Sequence, residues 1–476
     1  MKILFIVPSQ AQVYGMKMLP TYPSLGVLYL ASMLEKLNHD VELIDMDIDN
    51  LDSGKLLDHI DRTGPQLVGF SCITPTANLG FGLAREVKER FPNIHTIMGG
   101  IHPTIDPDNS IAQPGLDFIS IGESEHTICE LVDVLGRDGE GIEQVKGIYY
   151  IKNGKVHKNA PREMEHNLDS FPFPAFHLIK DLKRYSPPDA QTLPVAPMMT
   201  SRGCPGKCTY CCTKQIFGNR FRARSVQNIL EEIDYLVNQF GIRELHFMDD
   251  NIATNRKRIL ELCKNLKERN YPIRYELSNG IRADMVDREI LQSFRDIGMV
   301  NIGLGVESGN EEILKVIKKG IDKDQVRKVM KIARELGFET WAFFIVGLYK
   351  ENEQTIQDTI DFAIELDPDF AKFLVLKPFP GSEIFKQLQS DGLIDCYDYS
   401  RYGLYTDPVH HLHELSALEI LKWQKRAFRK FYLRPGKILR HVTRIRSLTQ
   451  LKIAAKGALF VIYTMFRNKI LGNKAP

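Results

Sequence analysis

The chain has 476 residues, 43% of them hydrophobic and 26% charged, with 62 Lys and Arg against 60 Asp and Glu for a formal net charge of +2. Those values exclude a disordered, collagenous or membrane-embedded chain and leave room for about three globular domains. The charge is unevenly placed: residues 417–476 carry 15 Lys or Arg and one acid, Glu419, for a net of +14, which leaves −12 on the rest. Eight cysteines and no secretory leader predict a reducing compartment, the cytoplasm, and thiols used for metal rather than for a disulfide framework.

From the first residues, KILFIVP (Lys2 to Pro8) reads as a buried strand and SLGVLYLASMLEKLNHD as a helix. VELIDMD is the next strand, and the alternation continues with a helix over 53–62, a strand over 67–73, a helix over 78–91 and strands over 95–100 and 118–122. Alternation of this kind predicts an α/β fold, a doubly wound, Rossmann-like parallel sheet over residues 1–140, with ligands at the carboxyl ends of its strands. Those ends carry Ser71 to Thr74, then Gly99-Gly100-Ile101-His102-Pro103-Thr104, then Gly122-Glu123-Ser124-Glu125. Glycine there lets backbone approach a flat or phosphate-bearing ligand closely. Residues 141–194 read as a connector, a hairpin about Asn153-Gly154 followed by DSFPFPAFHL, whose prolines and aromatics favour an extended linker packed on its neighbours.

A second β/α alternation starts near residue 195 with VAPMMTS, and at the end of that strand lies CPGKCTYC with thiols at Cys204, Cys208 and Cys211. Gly203, Pro205 and Gly206 supply the turn chemistry for a loop that wraps one small object. Thiolates are soft ligands suited to zinc or to an iron-sulfur cluster. Zinc would normally take a fourth Cys or His, and no second CxxC follows; Cys212 adjoins Cys211 and points elsewhere, as a packed thiol. Three ligands on a four-iron cluster leave one iron open. The later strands end in Asp249-Asp250-Asn251, in SNGIRAD with Arg282, and in GVESG with Glu307 and Ser308. TWAFFIVGLYKE and FAKFLVLKPFPGS complete about six strands, an incomplete β/α barrel over 195–390.

The CxxxCxxC loop after an apolar strand resembles the cluster motif of the radical S-adenosylmethionine (SAM) superfamily, and the first sheet resembles the cobalamin-binding domain fused ahead of such barrels. The resemblance covers about residues 1–385. It implies a 4Fe-4S cluster on Cys204, Cys208 and Cys211, with SAM on the open iron. It places Asp249 and Asp250 near the methionyl amine and Glu307 and Ser308 near the ribose and carboxylate, with Arg282 as a carboxylate partner or a structural ion pair. Cobalamin is implied at Ser71, Thr74, Gly99, Gly100 and His102. Three features depart from the family's spelling. The Asp-x-His-x-x-Gly segment that supplies a lower cobalt ligand in methionine-synthase-like domains is absent after the first strand, so that ligand stays undetermined. Asp249-Asp250 replaces Gly-Gly-Glu. Tyr349-Lys350-Glu351 stands where many relatives have Pro-Gly-Glu, and that segment shapes a turn.

The implied activity is C-methylation of a small or lipid-like substrate at an unactivated carbon, similar to that of the hopanoid methylases. The alternative is oxidation or cyclisation without methyl transfer, as in the anaerobic magnesium-protoporphyrin ester cyclase. Either needs an external electron donor of flavodoxin or ferredoxin type. Residues 391–476 read as a basic helical region, with a short apolar run, LFVIYTMF, at 459–466. That run is too short to cross a bilayer. Residues 417–476 fit a peripheral contact with an anionic membrane face or a helical cap on the acidic body, and no nucleic-acid module accompanies the charge.

Overall fold

The apolar runs of the first third form five parallel strands separated by helices: β1 (Lys2–Val7), α1 (Leu25–Glu35), β2 (Asp40–Asp45), α2 (Ser53–Thr63), β3 (Leu67–Ser71), α3 (Ala77–Arg90), β4 (His95–Gly99), α4 (Ile101–Ile105), α5 (Pro107–Ile111), β5 (Phe118–Ser120) and α6 (Glu125–Leu135). The structure is a computed structural model and describes residues 1–10, 22–187 and 190–443. Strand order is β2-β1-β3-β4-β5. The order reverses between β1 and β3, and there the loops leaving the two strands diverge and open a crevice.

The hairpin expected in the connector joins this sheet. β6 (Ile148–Lys152) pairs antiparallel with β5, and β7 (Lys155–Lys158) with β6, for seven strands in all. Ile148 and Tyr150 alternate onto the buried face, and an isolated hairpin is unstable in water, so it takes the nearest open edge.

The second alternation runs β8 (Val195–Met198), β9 (Ser201–Arg202), α7 (Thr213–Phe217), β10 (Arg222–Ala223), α8 (Val226–Phe240), β11 (Glu244–Phe247), α9 (Arg256–Arg269), β12 (Arg274–Leu277), α10 (Arg288–Asp296), β13 (Asn301–Glu307), α11 (Glu311–Val316), α12 (Lys323–Glu335), β14 (Glu339–Val346), α13 (Glu353–Leu366), β15 (Phe370–Val375) and α14 (Glu383–Ser390). Strands β8, β11 and β12 and strands β13, β14 and β15 form two parallel triplets, joined by the bridge Ile281 to Leu304. The result is a six-stranded, incomplete barrel. Helix α8 shows why the outer helices hold: Ser225 accepts from Asn228 N at its start, Gly241 ends it with φ 58°, and Ile229, Ile233 and Leu236 form one buried stripe.

Two later segments complete the body. The Pro-rich linker is packed, with Phe171 against Tyr29 of α1 and Phe176 against Phe240 of α8. Helix α15 (Ala417–Tyr432) begins with a Ser416/Glu419 capping box and buries Ile420, Trp423, Ala427, Phe428 and Phe431 against β15 and α13. The described part of the basic tail therefore caps the barrel. In α16 (Pro435–Thr443), Lys437 and Arg440, with Arg434 just ahead of it, converge on Asp367 at 3.4, 2.7 and 2.8 Å. The apolar run at 459–466 lies outside the described residues. Among those described, no helix is long and apolar enough to cross a membrane.

Candidate functional site

Ribbon β9/β10 pairs Arg202 with Arg222 and closes the base of the loop that carries the three thiols. Gly203 opens the loop at φ 85°, where an added Cβ would sit 2.3 Å from the Arg220 carbonyl, so no other residue fits. Gly206 donates its N–H to Cys204 Sγ at 3.4 Å, and a Cβ on it would lie 3.3 Å from that sulfur and 3.9 Å from Cys208 Sγ. Cys211 donates to Thr213 Oγ1 at 3.3 Å, whereas Cys212 turns away to the Pro380 carbonyl at 3.7 Å. Partial burial pushes the Cys204 thiol up from its ordinary value, while Cys211 is exposed. Three thiols thus face one space and the fourth does not. Three thiolates with the neighbouring Cys212 turned away are the donor set of a four-iron cluster with one open iron, whereas a zinc site would take a fourth ligand.

Beside this loop is a cavity of about 390 Å³ at the carboxyl ends of the strands, bordered by Asp250, Ser278, Arg282, Glu307, Lys319 and Phe343. Arg282 forks onto Asp284 at 3.0 and 2.9 Å and aims its remaining nitrogen at Cys208 Sγ, 3.8 Å away. Asp250 accepts from Gly203 N at 3.2 Å and Thr213 Oγ1 at 3.0 Å, and burial raises its pKa. Glu307 bends back at φ 67° and pairs with Lys319 at 2.7 Å. Asp249 and Ser308 are not brought to this cavity. Asp249 is turned inward, where Thr200 N and Oγ1 and Ser201 Oγ all donate to it. Ser308, fully buried, meets Thr359 Oγ1 at 3.1 Å. Each follows a partner that sequence spacing cannot show.

In the first sheet, Ser71 ends β3 and Thr74 opens the next turn, while Gly99 and Gly100 leave β4. Gly100 has φ 99°, and a Cβ would be 2.8 Å from the Cys72 carbonyl; one on Gly99 would be 2.8 Å from Ser120 Oγ. Thr104 Oγ1 donates to Gly100 O at 2.8 Å and accepts from Gly122 N at 3.0 Å, tying two strand-end loops together. Both glycines are thus required by close packing between the strand-end loops, where Cys72 and Ser120 fill the space a side chain would take. His102 is not part of it. The imidazole is fully buried in α4, 3.4 Å from Thr74 Oγ1 and packed edge-on against Tyr399 at 4.5 Å, and burial lowers its pKa to about 4.

Sequence reasoning missed the polar floor of the barrel. His246 Nε2 lies 2.8 Å from Glu244 and 3.7 Å from Glu276, and its Nδ1 is 2.6 Å from the Tyr22 hydroxyl, which also reaches Ser278 at 3.0 Å. Polar residues at alternate positions of an otherwise apolar strand, Glu-Leu-His-Phe, were the available signal.

A nucleotide-type sheet joined to a barrel whose strand-end loop gathers three thiols beside a charged cavity defines a two-cofactor enzyme. Residues 198–363 match the Radical SAM superfamily and residues 12–132 the B12 binding domain. The chain is 31% identical over 464 residues to an uncharacterized methyltransferase of Pyrococcus horikoshii, covering 97% of this chain and 99% of that protein. It is 28% identical over 440 residues to the anaerobic magnesium-protoporphyrin IX monomethyl ester cyclase of Cereibacter sphaeroides, covering 91% and 71%. The structure of the radical SAM methyltransferase TsrM from Kitasatospora setae, with tryptophan substrate and a SAM analog, matches with a TM-score of 0.70 at 17% identity over 99% of this chain and 98% of that one. The chain belongs to the cobalamin-binding radical SAM enzymes, a methyltransferase-like family, and its cofactors are a 4Fe-4S cluster, SAM and cobalamin.

Proposed function

We propose that this enzyme methylates an unactivated carbon of a small or lipid-like substrate. The observation that carries the reading is the mixed-sign cavity directly beside the three-thiol loop. When bound, the cluster with SAM supplies a deoxyadenosyl radical and the cobalamin supplies a methyl group. The protein's own residues bind, orient and exclude water. Cys204, Cys208 and Cys211 hold the cluster. Asp250 would receive the ammonium of SAM, Glu307, held by Lys319, would lie toward its ribose end, and Arg282 would bring positive charge toward its carboxylate. Ser71, Thr74, Gly99 and Gly100 form the wall against cobalamin, while His102 and Asp249 support that wall and the cluster strand from behind.

An external flavodoxin- or ferredoxin-like donor supplies the electron. A peripheral membrane contact falls to residues 433–476, since the apolar face of α15 is already spent on the barrel whereas Leu433, Ile438 and Leu439 beyond it are exposed. The similarity to the cyclase supports a second outcome, oxidation or ring closure without methyl transfer. The test is an anaerobic reaction of reconstituted protein with cobalamin, deuteromethyl SAM, reductant and a lysate extract, read by mass spectrometry. Deoxyadenosine with a deuteromethylated product is the expected result. Deoxyadenosine with an unmethylated, oxidised product favours the second reading, and no deoxyadenosine from cluster-loaded protein overturns both.

A further inference from the structure

Glu123 and Glu125 follow β5 at the carboxyl end of the first sheet, where the sequence suggests a ligand-lining loop. Neither faces that crevice. Both carboxylates cross into the barrel and meet the two arginines of the β9/β10 ribbon. Arg202 reaches Glu123 at 3.2 Å and Glu125 at 2.6 Å, and Arg222 forks onto Glu123 at 2.9 and 2.6 Å. The four side chains are 4–7% exposed. The Arg202 guanidinium also lies over the Tyr29 and Phe171 rings, at 5.5 and 5.2 Å, so the first domain and the linker close around it.

Placement is what makes this more than ordinary cohesion. Arg202 stands two residues before Cys204, and Arg222 closes the same loop from its other end. The glutamates stand directly after Gly122, whose N–H is tied through Thr104 to Gly100. One desolvated, bidentate ion-pair network therefore connects the base of the thiol loop to the strand-end wall of the first sheet. Charges taken out of water in this way are costly, yet they fix geometry closely, because each fork has one good orientation.

We propose that Arg202 and Arg222, with Glu123 and Glu125, are positioning residues that set the spacing between the cluster loop and the cobalamin sheet. Their loss uncouples radical formation from group transfer. This inference rests on the proposed placement of the two cofactors.

The test uses holoenzyme carrying both cofactors and compares wild type with Glu123→Gln and Arg202→Lys, the second keeping the charge and losing the fork. Iron and cobalamin content are measured first. The magnetic interaction of cob(II)alamin with the reduced cluster is then read from broadening and relaxation of the cobalt EPR signal, alongside the ratio of deoxyadenosine to product. The expected result is unchanged loading, a dispersed cobalt signal and a ratio raised at least three-fold in both variants. A purely structural role would lower the melting temperature and leave the EPR interaction as it was, and that outcome overturns the proposal, as does selective loss of one cofactor. Wild-type protein that loads only one cofactor refutes the functional reading itself.

Discussion

Gly100 and Glu351 are two residues whose roles follow from backbone geometry. With φ 99° and ψ −162°, Gly100 occupies a region essentially closed to residues with a Cβ, and that Cβ would also press on the Cys72 carbonyl. Gly100→Ala is expected to cost about 1–3 kcal/mol in urea unfolding and to reduce cobalamin retained after gel filtration; an unchanged cobalamin content would remove Gly100 from the site. Glu351 accepts from Gly347 N at 2.8 Å and Leu348 N at 2.9 Å and clamps the turn after β14. Burial raises its pKa from 4.5 to about 8 against those two hydrogen bonds. The folded state then holds a proton that the unfolded state releases, so its contribution is fullest below pH 4.5 and is lost as pH rises to about 8, at about 1.4 kcal/mol per pH unit. Glu351→Gln mimics the protonated form, and its melting temperature is expected to gain on wild type steadily between pH 5 and pH 8. A constant difference across that range would contradict the argument.

At the scale of elements, β15 ends an incomplete barrel and would leave a bare edge. Helix α15 closes it with side chains: Tyr432 Oη accepts from Ala371 N at 3.0 Å and donates to Ala371 O at 2.9 Å, and Gln424 donates to Phe373 O at 2.8 Å. Tyr432→Phe is expected to lower stability by about 1 kcal/mol, the worth of a hydrogen bond plus part of an orphaned amide. Deleting residues 417–476 removes the whole seal, so insoluble protein is the expected outcome, whereas truncation after residue 443 leaves α15 and α16 in place. Sedimentation of that shorter protein with anionic vesicles, compared with full-length chain, tests the contact through residues 444–476; equal binding by both moves the contact to the retained part, where Ile438 and Leu439 are exposed, and binding by neither removes it. Strands and outer helices were legible because their apolar periods are local. What α15 covers was not, since the same amphipathic stripe suits a membrane, a partner or a barrel edge. The hairpin was read in its place, but where it docks and where the Asp249 carboxylate turns were not legible, because their partners, β5 and the Thr200-Ser201 pair, lie elsewhere in the chain. The cysteine loop was legible because its ligands are close in sequence.

Across the whole molecule the two halves share one core. Buried residues of β1 and α1 belong to the same apolar cluster as those of α8, β11 and β14, and Ala175 and Phe176 of the linker lie within it. Ala175 N donates to the Leu28 carbonyl of α1 at 3.0 Å, and Phe176, fully buried, rests on Phe240 of α8. Together with the Arg202 network, this means that neither half can open without exposing apolar surface and buried charge of the other. Unfolding is therefore expected to be a single transition, although two domains often separate into two. Both tryptophans, Trp341 and Trp423, lie in the second half, so their fluorescence reports the barrel, while amide exchange in β1 and β3 reports the first sheet. In urea the two probes should share one midpoint. Phe176→Ala, which empties the seam at a cost of about 3–5 kcal/mol, should lower that midpoint for both and begin to split them. Separate midpoints in the wild-type protein would mean that the linker joins two independent domains rather than sealing one core.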